Sequence, residues 1–164
     1  MSKITELTSA VERAAKLLID KKFSIAFAES ATAGSASAEF SLACHAGKFL
    51  RGGLVCYDAE LKCNVLDVSH EMLDKCTPES MEVTAAIAQG LAGLIPADIH
   101  VGITGLPCPG GSETIEKPVG TMFLYAIFQD KELFADRVFF QGGHKEIVEQ
   151  TIQHVALLLI KHLS

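Results

Sequence analysis

No stretch of this 164-residue chain gathers lysine and arginine, and its formal charge is -6. Neutralising a phosphate backbone takes a basic stripe, so nucleic acid is not an expected partner, although one small cationic pocket for a single phosphate stays open. The cysteines, Cys44, Cys56, Cys63, Cys76 and Cys108, are odd in number and include no C-x-x-C pair. With no basic-then-apolar leader at the N-terminus, this reads as reduced thiols in a cytoplasm. No apolar run approaches the ~20 residues that cross a bilayer, so no membrane partner is expected. The longest candidate, 155–160, lies inside a helical pattern. Histidine and cysteine lack paired metal-ligand spacing, which argues against a zinc site. Gly110-Gly111 lacks the Lys-Ser/Thr that follows in a P-loop. Repeats and low-complexity linkers are absent as well, and 164 residues suit one buried core, so residues 1–164 read as a single domain.

What is present is an alternation of helical and extended patterns. Ile4, Leu7, Val11, Ala14, Ala15 and Leu18 recur at helical spacing up to about Lys21. Phe23 to Ala28 reads as a strand, Thr32 to about Ala43 as an Ala- and Ser-rich helix, and Leu54 to Tyr57, after Gly52-Gly53, as a second strand. One or two helical turns follow from Asp58 to Leu66, then a polar connection from Asp67 to Thr77, then a helix starting at Pro78 and running to about Ile95. Residues 98–105 read as a third buried strand, 106–119 as a Pro/Gly loop, 120–128 and 133–140 as a hairpin, and 144–162 as a closing amphipathic helix. This order predicts an α/β fold, a three-layer α/β/α sandwich around a mixed, mostly parallel five-stranded sheet.

In such sheets ligands sit beyond the C-terminal strand ends. Glu29-Ser30, Tyr57 and Thr104-Gly105 all fall at predicted strand ends, and parallel strands would bring them to one edge. Ser30 opens a run of small residues, Ala31-Thr32-Ala33-Gly34, at a strand-to-helix turn. Two readings stand side by side there: a helix cap by Ser30 or Thr32, or a site whose free backbone N–H groups face an anionic oxygen. A serine nucleophile needs a base, and no histidine follows a strand end near Ser30. A desolvated lysine with a tyrosine beside it is the alternative, and Tyr57 with Lys62 has that spacing. The same spacing suits a lysine snorkelling past an edge tyrosine. Cys108 reads either as a loop thiol or as a weakly ionised nucleophile.

The motifs Glu29-Ser30-x-Thr32-x-Gly34, Gly52-Gly53-x-Val55-x-Tyr57-x4-Lys62, Thr104-Gly105 with Pro109-Gly110-Gly111, and Lys117-Pro118-Val119-Gly120-Thr121 occur in one order. In order and spacing they resemble the C-terminal domain of competence/damage-inducible protein A, the nicotinamide mononucleotide deamidase family. The resemblance spans nearly the whole chain. It implies hydrolysis of the carboxamide of nicotinamide mononucleotide, giving nicotinic acid mononucleotide and ammonia, with no cofactor and in a homodimer. It further implies Ser30 as nucleophile, Tyr57 and Lys62 as its activating pair, and backbone N–H groups after Ser30 as an oxyanion hole. Glu29, Thr32, Gly34, Thr104, Gly105, Gly110, Gly111, His144 and Lys145 would contact substrate.

The chain departs from the family pattern at three places. Ala31-Thr32-Ala33-Gly34 replaces Cys-Thr-Gly-Gly, Gly105-Leu-Pro-Cys108-Pro109 replaces Gly-Ile-Ala-Gly-Pro, and Gly142-Gly143-His144 stands where Gly-Asp-Arg opens the last helix. A bidentate, permanently charged arginine is thereby exchanged for His144, with Lys145 beside it. The rival reading is therefore a nucleotide-binding module with a regulatory or partner role. Family members are also found fused to a larger N-terminal domain, and this chain is expected to stand without it.

Overall fold

A computed structural model describes residues 3–164, with side chains from Glu6 onward; Met1 and the side chain of Ile4, which opens the predicted stripe, lie outside the described residues. Helix α1 (Lys3–Lys21) buries Leu7, Val11, Ala14, Ala15 and Leu18 along one face, as the spacing predicts. Strand β1 (Ile25–Glu29) is buried throughout. Ile25 and Phe27 point into the core that α1 covers, and Ala26 and Ala28 into the opposite one, because successive strand side chains alternate. Helix α2 (Ser35–Ser41), a 3-10 turn at Ala46–Lys48 and strand β2 (Leu50–Val55) follow. Helices α3 (Ala59–Leu66), α4 (His70–Cys76) and α5 (Met81–Leu94) then lead into β3 (Ile99–Gly105). Strands β4 (Thr121–Phe128) and β5 (Lys131–Phe139) form the hairpin, and α6 (His144–Leu163) closes the described chain.

The sheet order is β2-β1-β3-β4-β5. β1 pairs in parallel with β2 and β3, and β4 pairs antiparallel with β3 and β5, so four of the five strands run one way. Helices α1, α2 and α6 pack over one face, and α3, α4 and α5 over the other, giving the expected mixed α/β/α sandwich. Ala26 and Ala28 of β1 and Gly102 of β3 keep the second face low under α5, beside the larger Tyr125 and Ile127 of β4. A Cβ added at Gly102 would collide with the Thr84 carbonyl oxygen of α5.

Several elements differ from the sequence reading, and four of the differences have a clear local cause. The supposed polar connection holds α4, because the Ser69 hydroxyl caps it by accepting from the Met72 N–H at 3.1 Å, while Met72, Leu73 and Cys76 pack against the second core. α5 starts at Met81, not Pro78, capped by the Ser80 hydroxyl, which accepts from the Val83 N–H at 3.3 Å. α2 starts at Ser35, not Thr32, since Ala33 (φ 48) and Gly34 (φ 94) sit in the left-handed region and cannot continue a helix backwards. Gly52 and Gly53 lie inside β2 rather than ahead of it. The hairpin turns at Gln129 and Asp130, both with positive φ, a conformation that matches the right-handed twist of the strands it joins.

Candidate active site

The parallel register places Glu29 beside Val55 on one side and Ile103 on the other, so three strands end together. Ser30, the Cys56-Tyr57 segment and Gly105 therefore leave the sheet at one edge, the convergence expected from the sequence. Ser30 is held by its backbone. Its N–H donates to the Ile103 carbonyl at 2.9 Å, and its carbonyl accepts from the Ala33 N–H at 3.1 Å. Its hydroxyl makes no hydrogen bond within the described residues and opens on a cavity. The N–H groups of Ala31 and Thr32 have no partner among the described residues either. The helix-cap reading of Ser30 therefore fails, and so does that of Thr32.

The cap comes from Glu29. Its side chain turns back under α2, only 1% exposed. One oxygen accepts from the Thr32 hydroxyl (2.7 Å), the Gly34 N–H (3.0 Å) and the Ala36 N–H (2.9 Å); the other accepts from the Ser37 N–H (2.8 Å) and hydroxyl (2.6 Å). A carboxylate there also meets the positive end of the helix dipole. This corrects the expectation that Glu29 contacts substrate, because both of its oxygens are consumed inside the protein. Thr32 and Gly34 spend their donors on the same carboxylate, so they frame the turn, although Thr32 still forms part of a cavity wall. Thr104 needs the same correction: it is fully buried, and its hydroxyl pairs with that of Thr84 at 2.7 Å, tying the end of β3 to α5.

Lys62 lies on α3, whose start is fixed by the Asp58 carboxylate accepting from the Glu60 N–H. The lysine is 1% exposed, and its ammonium donates to the carbonyls of Cys56 (2.9 Å) and Tyr57 (3.5 Å). Burial pushes its pKa below the ordinary lysine value, with Cys56 and Glu79 pulling partly the other way. The Cys56 thiol is pushed up by the same burial and drawn back by Lys62. Tyr57 is 60% exposed at the rim of the site. Among the described residues no hydrogen bond joins the Ser30 hydroxyl to Tyr57 or Lys62.

Two adjoining cavities share Ala31 and Tyr57 in their walls. The smaller, about 190 Å³, is lined by Ser30, Gly105, Gly110, Gly111, Cys108 and Glu79 among others. The larger, about 560 Å³, runs between the start of α2 and the start of α6 and takes in His144 and Lys145. Of the predicted residues, Ser30, Gly105, Gly110 and Gly111 line the smaller cavity, Thr32, His144 and Lys145 the larger and Tyr57 both, while Glu29, Gly34, Lys62 and Thr104 line neither. Glu79 is the residue the sequence did not reveal. It sits in the α4–α5 connection and accepts from the Ser112 hydroxyl at 2.5 Å. The Lys117 ammonium clamps the same place, donating to Ser112 Oγ (2.7 Å), Thr77 Oγ1 (2.8 Å) and the Glu79 carbonyl (2.8 Å). No periodicity or short motif links positions 79 and 112, which meet only through the fold. The described residues contain no group of three or more His, Cys, Asp and Glu able to hold a metal ion, and no helix long and apolar enough to cross a membrane.

Comparison with known proteins agrees with this architecture. A CinA-like protein of Dictyoglomus thermophilum is 37% identical over 117 residues, covering 71% of this chain and 28% of its own. A second, from Desulfotalea psychrophila, is 30% identical over 146 residues, covering 89% of this chain and 35% of its own. The chain thus spans about a third of the length of these relatives. A crystal structure of a competence-damaged protein (CinA) superfamily protein from Klebsiella pneumoniae superposes with a TM-score of 0.88 at 28% identity, covering 96% of this chain and 97% of the other. The family model described as the CinA C-terminal domain matches residues 7–163, and the chain belongs to that family.

Proposed function

We propose that residues 1–164 form one amidohydrolase domain that cleaves the carboxamide of nicotinamide mononucleotide, releasing nicotinic acid mononucleotide and ammonia. The observation that carries this reading is an unpartnered serine hydroxyl in a small cavity, followed by two unpaired backbone N–H groups. Ser30 Oγ attacks the amide carbon, and charge builds on the amide oxygen. The unpaired N–H groups of Ala31 and Thr32 would hold it, and removing such a donor costs roughly 3 kcal/mol of barrier. The serine proton passes to Lys62, whose buried side chain is less basic than an ordinary lysine, by way of a water or of the exposed Tyr57 hydroxyl. Collapse of the intermediate breaks the C–N bond, and the nitrogen leaves as ammonia with the returned proton. Water then hydrolyses the Ser30 ester, leaving a carboxylate and a free serine.

Cavity sizes support the substrate assignment. The cavity of about 190 Å³ can take one aromatic ring with its amide, and the adjoining cavity of about 560 Å³ leaves ample room for a ribose phosphate. In the larger one, His144 and Lys145 would meet the phosphate in place of an arginine, and Gly105, Gly110 and Gly111 would flank the ring. The homodimer belongs to the same proposal. The test is ammonia release from nicotinamide mononucleotide by the wild type, Ser30→Ala and Lys62→Ala. Release by the wild type with background levels in both variants is the expected result, and equal background release from all three overturns the reading. Tight binding without turnover would instead favour a regulatory nucleotide-binding module.

A further inference from the structure

The small cavity beside Ser30 is walled by backbone, glycine, proline and Leu106, and among its described lining residues Glu79 is the one that carries a formal charge. A partly buried carboxylate in such a wall is costly unless something compensates it. Its compensation from the protein is indirect: the Lys117 ammonium acts on the carboxylate across the Ser112 hydroxyl, with no direct ion pair. Ser112 donates to one carboxylate oxygen, while the Lys117 ammonium donates to Ser112, Thr77 and the Glu79 backbone carbonyl rather than to the carboxylate. Lys62 also feels Glu79, yet its hydrogen bonds go to the Cys56 and Tyr57 carbonyls. One negative charge therefore faces a ring-sized space whose remaining walls are neutral.

The geometry points to Glu79 as a specificity-determining residue that selects a cationic aromatic ring, such as an N-substituted pyridinium, over a neutral ring bearing the same amide. A carboxylate in a low-dielectric wall attracts a delocalised ring cation and repels the carboxylate that hydrolysis creates, so it favours the amide over the acid. This deepens the amidase reading and takes its substrate class from it. The charge preference itself does not depend on turnover.

The experiment compares nicotinamide mononucleotide with its reduced dihydropyridine form, which keeps the carboxamide, ribose and phosphate but has a neutral ring. Dissociation constants for both are measured by calorimetry in a Ser30→Ala background, with and without Glu79→Gln. Catalytic efficiencies are measured for both in the wild type and in Glu79→Gln alone. Glu79→Gln is expected to shrink the preference for the oxidised form by about tenfold, the scale of one screened charge contact. Intrinsic differences in amide reactivity cancel in that ratio. Ser112→Ala removes a hydrogen bond to Glu79 while keeping its charge, and should leave the ratio within about twofold of wild type. An unchanged ratio in Glu79→Gln overturns the proposal, and so does an equal shift in Ser112→Ala, which would show loop positioning instead. Charge-selective binding without ammonia release would overturn the amidase reading and leave Glu79's role standing. Turnover with an unchanged ratio would do the reverse.

Discussion

Replacing Glu29 by alanine tests the central claim about the turn that carries Ser30. The carboxylate accepts five hydrogen bonds, three of them from backbone N–H groups at Gly34, Ala36 and Ser37 that cannot turn away. The two hydroxyls can rotate to other acceptors. Leaving a buried donor unpaired costs about 1–3 kcal/mol, and water can reach Gly34 and Ser37, so the loss should be about 3–5 kcal/mol rather than the full sum. Glu29→Gln should cost about half as much, because its carbonyl can keep the Thr32, Gly34 and Ala36 donors while its amide faces the Ser37 N–H. Urea unfolding provides the assay. With a slope near 2 kcal/mol/M, the midpoint of Glu29→Ala should fall by about 2 M at unchanged slope. Where the variant remains folded, ammonia release should also fall, since the N–H groups of Ala31 and Thr32 lose their frame. A stability loss under about 1 kcal/mol would refute the reasoning, since bonds that count individually would then not hold the turn.

Further outcomes follow from three particular residues, Lys62, Asp98 and Ala33. Activity should rise with pH along a limb whose midpoint lies below 10.5, because burial lowers the Lys62 pKa and the proposed mechanism uses the neutral amine as base; a pH profile of Lys62→Arg should lack that limb. The unfolded chain holds that lysine's proton to higher pH than the folded one, so wild-type stability should gain on Lys62→Met as pH rises towards 10.5. Asp98 accepts from the Ser24 N–H and hydroxyl, both at 2.7 Å, and these bonds depress its pKa. Asp98→Ala should cost about 1–2 kcal/mol at neutral pH by urea titration. That difference should hold above 3.8 and disappear as pH falls through the lower folded-state value. Ala33 pays for a left-handed backbone at φ 48, so Ala33→Gly should raise the melting temperature or leave it unchanged, whereas glycine elsewhere lowers it.

Much of the site was legible before the fold. Hydrophobic alternation and turn residues located every strand, and the strand-end rule brought Ser30, Tyr57 and Gly105 to one edge, because those signals are local and period-bound. α4 escaped since its seven residues carry too few apolar positions to show a period, and its cap, Ser69, precedes a charged turn. The division of labour within the Glu29-Ser30 pair also escaped. Sequence places both residues at the mouth of a strand, but which side chain turns inward depends on where α2 presents its unpaired N–H groups.

The sequence by itself determined the layered α/β architecture, the family, and the set of residues gathered at the sheet's C-terminal edge. Tertiary structure alone decided which of their polar atoms are engaged and which stay free. Glu29, Thr32 and Thr104 spend their polar atoms inside the protein, Ser30 keeps its hydroxyl free, and Lys62 is buried enough to lose basicity. It also brought Glu79, in the wall of the small cavity, against Ser112 of the Pro/Gly loop. The physical reason is that hydrophobic period and turn chemistry are properties of neighbours along the chain. Burial and hydrogen-bond satisfaction, which set the charge and availability of each group, are properties of neighbours in space.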